Sequence, residues 1–269
     1  MASSTSIMNL RLDGKQALVC GASQGIGAAA GRALAELGVN VTLVARSRDK
    51  LEAILAQLTT GSGQRHDYFI ADFDQPETLK TALGLWLKNH AQAHILINNS
   101  GGPPGGSAHA ASIEEYQKAF MRFMLCGQML VQAVLPGMQK SGYGRIINVI
   151  STSVKEPIKG LGVSNTIRWA VAGWAKTLAS ELGPHGITVN NILPGFTRTP
   201  RIASLFKARA EKEQRTVSDI EKEAMSLIPL RRFAEPEEIA AAIAFLASPA
   251  ASYINGINLP VDGGRLQSL

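Results

Sequence analysis

The chain has 269 residues, 45% of them hydrophobic and 18% charged, the balance of a globular protein able to bury a sizeable core. Its net charge of +6 is spread among acids, as in Arg46-Ser47-Arg48-Asp49-Lys50, and no basic block or zinc spacing marks a nucleic-acid binder. No apolar run reaches the roughly 18–20 residues of a membrane span. Met1 to Leu10 lacks the basic start and apolar stretch of a secretory signal, and Cys20 and Cys126 suit reduced, buried thiols in a cytoplasmic protein.

Gln16-Ala17-Leu18-Val19-Cys20 reads as a buried strand. Ile26 to Leu37 carries apolar residues at helical spacing and stops at Gly38, a left-handed cap. Between them lies Gly21-Ala22-Ser23-Gln24-Gly25-Ile26-Gly27. A glycine-rich turn between strand and helix lets the backbone approach a pyrophosphate, and the helix N-terminus offers it N–H donors. A second strand, Val39 to Ala45, precedes a helix that Ser47 is placed to cap, with Leu51, Ile54, Leu55 and Leu58 on one face. An acid at the end of this strand would bind a ribose 2′-hydroxyl; Ala45-Arg46 suits a 2′-phosphate instead.

Tyr68 to Ala71 forms the third strand and ends at Asp72, and a helix opened by Pro76 runs to about His90. His94 to Asn98 is the fourth strand, delivering Asn98-Asn99-Ser100-Gly101 and the Gly/Pro loop to Gly106. Ser112-Ile113-Glu114-Glu115 is a capping box for a long helix reaching Met138. Its middle, Phe120 to Leu125, is apolar on more than one face, so burial all round and a subunit interface are expected there. Strand five (Arg145 to Ile150), a helix from Ser164 to Leu182 and strand six (Ile187 to Leu193) follow, then Pro194-Gly195-Phe196-Thr197-Arg198-Thr199. Residues 201–228 are charged and helix-prone, as a substrate lid would be. A helix begins at Glu235-Pro236-Glu237-Glu238, and strand seven, Ile257 to Val261, leads to Asp262-Gly263-Gly264. Unbroken alternation of strands and helices predicts one doubly wound, Rossmann-like α/β domain over 1–269, with a parallel seven-stranded sheet.

In spacing and order these motifs resemble the short-chain dehydrogenase/reductase family over nearly the whole chain, with a pattern closest to 3-oxoacyl-acyl-carrier-protein reductases. The resemblance implies NADP(H) as cofactor, held by Gly21, Ser23, Gln24, Gly25, Ile26, Gly27, Arg46, Asp72, Asn98, Ser100, Gly101, Arg168, Pro194, Gly195, Thr197 and Thr199. It also implies a homodimer or homotetramer, and a small-molecule or carrier-linked carbonyl substrate. No metal site, nucleic acid or membrane is expected.

The catalytic positions depart from the family. Its Asn, Ser, Tyr and Lys align with Phe123, Ser151, Ser164 and Arg168, so only the serine is kept. Ser164 and Arg168, four apart, would share a helix face as the Tyr and Lys do. A tyrosine has a pKa of about 10; an aliphatic hydroxyl is a far weaker acid. Arginine keeps its charge and cannot relay a proton as lysine does. Three readings stand. The first is a reductase in which Ser151 and Ser164 hold the carbonyl, Arg168 stabilises charge, and water or Lys155 supplies the proton. The second is an NADP(H)-binding sensor or partner subunit without hydride chemistry. The third is a non-redox activity on an anionic substrate at Ser164 and Arg168. Tyr116, Tyr143 and Tyr253 read as packing or surface residues, and of the five histidines only His109 falls near the expected pocket.

Overall fold

In a computed structural model that describes residues 8–90 and 92–268, seven parallel strands form one sheet. They are β1 (Gln16–Cys20), β2 (Asn40–Ala45), β3 (Asp67–Ile70), β4 (Ile95–Asn98), β5 (Gly144–Val149), β6 (Ile187–Pro194) and β7 (Asn258–Val261), in the order β3-β2-β1-β4-β5-β6-β7. The central strands are largely apolar because both faces are covered, and the polar residues they bury are mostly hydrogen-bonded across the sheet. One face buries Ala17, Val19, Val41, Ile95 and Ile97 under α1 (Gly25–Glu36), α2 (Arg48–Leu55) and α9 (Pro236–Ala247). The other buries Leu18, Leu96, Ile146 and Val189 under α3 (Pro76–Asn89), α5 (Cys126–Ser141) and α6 (Gly162–Leu182). Cys20 and Cys126 are both free and buried in this second layer, and burial pushes their thiol pKa values up.

Strand order reverses between β1 and β4, and ligands of such sheets bind beyond the strand ends at that switch. Here Gly21 leaves β1 while Asn99 and Ser100 leave β4. The Asn99 amide donates to Cys20 O (3.3 Å) and Gly21 O (3.4 Å), tying the two strand ends together.

The long helix expected from Ser112 is three segments. α4 (Ile113–Phe120) carries the capping box as expected, a π-helical turn spans Met121–Leu125, and α5 completes it. A π turn widens the helix by one residue and rotates the turns beyond it, and such turns concentrate at functional sites. Within the single chain Phe120 and Leu125 are exposed. Against the expectation of no membrane-length stretch, the continuous helix Ile113–Ser141 is long and apolar enough by composition to cross a bilayer. Its α5 half nonetheless packs Leu130, Val131, Val134 and Met138 onto the sheet, as a core helix does. The expected lid is two helices, α7 (Pro200–Glu213) and α8 (Val217–Ser226), packed through Phe206, Ala210, Ile220 and Ala224 and bound by the ion pairs of Arg209 and Arg215 with Glu213 and Glu223.

His94, just before β4, is buried, and its Nδ1 accepts the backbone N–H of Gln16 (3.0 Å). Burial, with Lys15 nearby, lowers its pKa to about 4. The fold therefore prefers neutral His94. Its contribution is complete above the unfolded pKa of about 6.5 and is lost as pH falls toward 4, a loss on the order of 2–3 kcal/mol. Urea unfolding at pH 7 and pH 4.5 is expected to show a smaller stability difference for His94→Asn than for wild type. Equal pH dependence of the two proteins would show that His94 is not the titrating group.

Candidate active site

A cavity of about 480 Å³ opens at the switch point, over the ends of β1, β4, β5 and β6. Its floor is the glycine turn. Gly21 and Gly25 sit at φ 61° and 56°, the left-handed region where a side chain would be strained. α1 has no side-chain cap and no acid in its first turn. Its first N–H groups are thus left for an outside anion.

At one end the cavity is lined by Arg46, Ser47, Lys50, Ala71, Asp72 and Phe73. Ser47, expected to cap α2, makes no capping hydrogen bond and faces the cavity wall with Arg46. Lys50 donates to Gln24 Oε1 (3.2 Å), reaching from α2 across to the glycine turn. Two cations and a hydroxyl around one end, with Asp72 beyond them, suit a phosphate-bearing nucleotide.

At the other end stand Ser151, Ser164 and Arg168. Ser151 leaves β5 and its hydroxyl accepts from Ser153 N (3.0 Å). Ser164 and Arg168 share a face of α6, as their spacing predicts: Arg168 Nε donates to Ser164 Oγ at 3.1 Å. Arg168 Nη1 also donates to Ile150 O (2.6 Å) and Val149 O (3.3 Å) at the end of β5. Its guanidinium lies 4.8 Å from the centre of the Phe123 ring, which the π turn presents to it. Burial, and then the charge of Arg201, bring the Arg168 pKa down to about 10, so it keeps its proton at neutral pH. No tyrosine or histidine, and so not His109, is among the residues lining the cavity. The Tyr116 and Tyr143 hydroxyls instead donate to backbone carbonyls of Ala108 and Ala247, and Tyr253 is fully exposed.

Of the residues singled out from the sequence, Gly21, Ser23, Gln24, Gly25, Ile26, Arg46, Asp72, Ser100, Gly101, Pro194, Gly195, Thr197 and Thr199 all line this cavity. Two do not. Gly27 is buried beneath the turn, where a Cβ would come 2.2 Å from Gly21 O. Asn98 starts an amide ladder across the sheet: its Nδ2 donates to Asn148, Asn148 to Asn191, and Asn191 to Asn258, each at 2.8–2.9 Å and in strand register. Lys50, Arg122, Arg201 and Arg265 line the cavity and were not anticipated. Of the segment expected as a lid, the first turns of α7 line the cavity through Arg201, Ile202 and Leu205, while α8 packs against α7.

Comparison with known proteins agrees with this architecture. Residues 21–265 match the family model described as enoyl-(acyl carrier protein) reductase. The chain is 33% identical over 261 residues to trans-4-hydroxycyclohexanecarboxylate dehydrogenase of Sinomonas cyclohexanicum, covering 95% of this chain and 94% of that one. It is 35% identical over 257 residues to a 3-oxoacyl-[acyl-carrier-protein] reductase of Vibrio cholerae, covering 95% and 98%. The structure of L-sorbose reductase from Gluconobacter frateurii, complexed with NADPH and L-sorbose, superposes with a TM-score of 0.90 at 30% identity, over 97% of this chain and 100% of that one. With the glycine turn, the β1/β4 crevice and family-model coverage from the glycine turn to beyond β7, the chain belongs to the short-chain dehydrogenase/reductase family of oxidoreductases.

Proposed function

We propose that this protein is an NADP(H)-dependent oxidoreductase for an alcohol/ketone pair whose active site is built from Ser151, Ser164 and Arg168 instead of the family's tyrosine and lysine. The observation that carries it is the Arg168–Ser164 hydrogen bond at the wall of a crevice whose other end is lined by Arg46 and Lys50. Uncapped α1 and the bare glycine turn fit a pyrophosphate; Arg46, Ser47 and Lys50 fit a 2′-phosphate. NADPH, when bound, supplies the hydride.

The chain's own residues manage the oxygen. Ser164 Oγ accepts from Arg168, which leaves its O–H to donate to the substrate oxygen, with Ser151 as a second donor. Arg168 brings a fixed positive charge close to where negative charge develops. The weak acidity of Ser164 makes water entering the cavity the proposed proton source. Exposed Ile113, Phe120, Leu125 and Trp169 on α4, the π turn and α6 support a homo-oligomer, and a 3-oxoacyl thioester is one substrate of the proposed class.

NADPH oxidation by the purified protein against simple ketones, quinones and 3-oxoacyl thioesters tests the reading. Turnover that disappears in Ser151→Ala supports it. The absence of any tyrosine from the cavity favours one competing reading, a protein that binds NADP(H) without hydride transfer. Saturable NADPH binding with no turnover on any carbonyl would select that reading. For the cofactor itself, Arg46→Ala is expected to weaken NADPH binding by about 10–100-fold, the worth of a charge-assisted phosphate contact, and NADH binding by less than about 3-fold. Equal losses for both cofactors in a fluorescence titration would remove Arg46 from the 2′-phosphate.

A further inference from the structure

The cavity carries more positive charge than its other end accounts for. Arg122, Arg168, Arg201 and Arg265 converge on it from the π turn, α6, α7 and the segment after β7. Only Asp72 and Asp74 among its lining residues are acidic. Asp74 is spent on Arg122, which donates to it from Nε (2.8 Å) and Nη2 (2.6 Å to Oδ1). Arg265 lies over the Phe196 ring, 5.1 Å from its centre, and Glu156 is near enough to feel its charge. Arg168 and Arg201 are left facing each other with no carboxylate in ion-pairing distance among the described residues.

Their hydrogen bonds confirm the imbalance. Arg168 donates only to neutral oxygens of Val149, Ile150 and Ser164. Arg201 Nη2 donates to the Pro103 carbonyl, and its Nε and Nη1 have no protein acceptor among the described residues. Gly102 lets that guanidinium lie against the β4 loop, because a Cβ there would come 3.2 Å from Arg201 Nη2. Burial lowers the pKa of both arginines, and each is further lowered by a neighbouring arginine. Arg201 also sits in the first turn of α7, where the helix dipole disfavours a cation. Two half-buried like charges, one of them at a dipole's positive end, are unfavourable unless an anion joins them. Ile158, Leu161, Ile202 and Leu205 supply apolar wall in the same cavity.

We propose that Arg201, backed by Arg168, receives a carboxylate of the substrate, so that the protein acts on a carbonyl compound with a compact apolar body and a free acid group. This rests on the reductase reading above but fails separately from it. The test pairs levulinate and its next two longer oxo-acid homologues with their methyl esters, using the full-length protein saturated with NADPH. At least one acid is expected to exceed its ester in kcat/KM by about 10–100-fold, the worth of a charge-assisted bidentate contact. Arg201→Met is expected to collapse that acid-to-ester ratio to near one while shifting NADPH affinity by less than about threefold.

Esters turned over as well as acids, or a ratio that survives Arg201→Met, would overturn the assignment. A large loss of NADPH affinity in Arg201→Met with the ratio unchanged would also overturn it, placing Arg201 on a cofactor phosphate instead. Should neither acid nor ester turn over, the thermal shift of the NADP⁺-saturated protein is read with the same pairs. Stabilisation by acids alone, lost in Arg201→Met, supports the carboxylate site even though the reductase reading has failed; equal shifts for acid and ester remove it.

Discussion

Replacing Arg168 by methionine is expected to lower kcat/KM for carbonyl reduction by about 10²–10³-fold, the cost of losing a preorganised positive charge beside a developing oxyanion. Arg168→Lys is expected to recover most of that loss. Methionine keeps the apolar length that packs against Phe123, 4.8 Å from the guanidinium, but removes the charge and the donors to Ser164, Val149 and Ile150. Two strand-end carbonyls then lose a partner, which costs about 1–3 kcal/mol of stability. Relief of the repulsion from Arg201 offsets part of that. Thermal unfolding therefore separates damage to the fold from damage to the reaction. Lysine discriminates between the roles of charge and shape: it is shorter and cannot make the same fork, yet it remains a cation. If Arg168→Met turned over substrate at the wild-type rate, charge stabilisation at this position would be wrong. If methionine and lysine were equally impaired, the guanidinium fork would matter rather than the charge. In both cases Ser164 and Ser151 would need another source of electrostatic support.

How much of this was legible in the residues varies with how local the cause is. The strands and the glycine turn were readable because an apolar run and a left-handed backbone are each imposed by a few adjacent residues; Gly21 and Gly38 do sit at φ 61° and 92°. The Ser164–Arg168 pair was readable because helical spacing alone brings them together. The π turn at Met121–Leu125 was not, since five residues with one shifted hydrogen-bond pattern leave no periodic mark. Ser47 has the chemistry of a cap, but the cavity edge competes for it. Asn98 has the position of a cofactor contact, but the register of β4, β5, β6 and β7 makes it one rung of an amide ladder. Arg201 and Arg265 were unreadable for a different reason: they lie 33 and 97 positions beyond Arg168 in the sequence and meet it only through the sheet's topology.

Gly27→Ala is expected to abolish measurable NADPH binding and to cost on the order of 3 kcal/mol or more of stability. The new Cβ would stand 2.2 Å from Gly21 O, 2.7 Å from Gly21 C and 2.8 Å from Asn99 Nδ2. Two of those atoms are backbone in the tightest part of the turn. The third is the amide that joins the ends of β1 and β4. None is the free end of a flexible side chain, so relief requires α1 to move away from the strand it follows. That movement would carry the uncapped N–H groups of α1 off the position where they can serve a pyrophosphate. The same chemical change elsewhere has the opposite sign. Gly84, within α3, is exposed and has nothing within 4 Å of its would-be Cβ. Gly84→Ala is therefore expected to stabilise by about 0.5–1 kcal/mol through helix propensity and leave NADPH binding intact. Urea unfolding and NADPH fluorescence on the two variants decide the matter. If Gly27→Ala bound NADPH with wild-type affinity, the close approach of α1 to the glycine turn would not be what shapes the cofactor site.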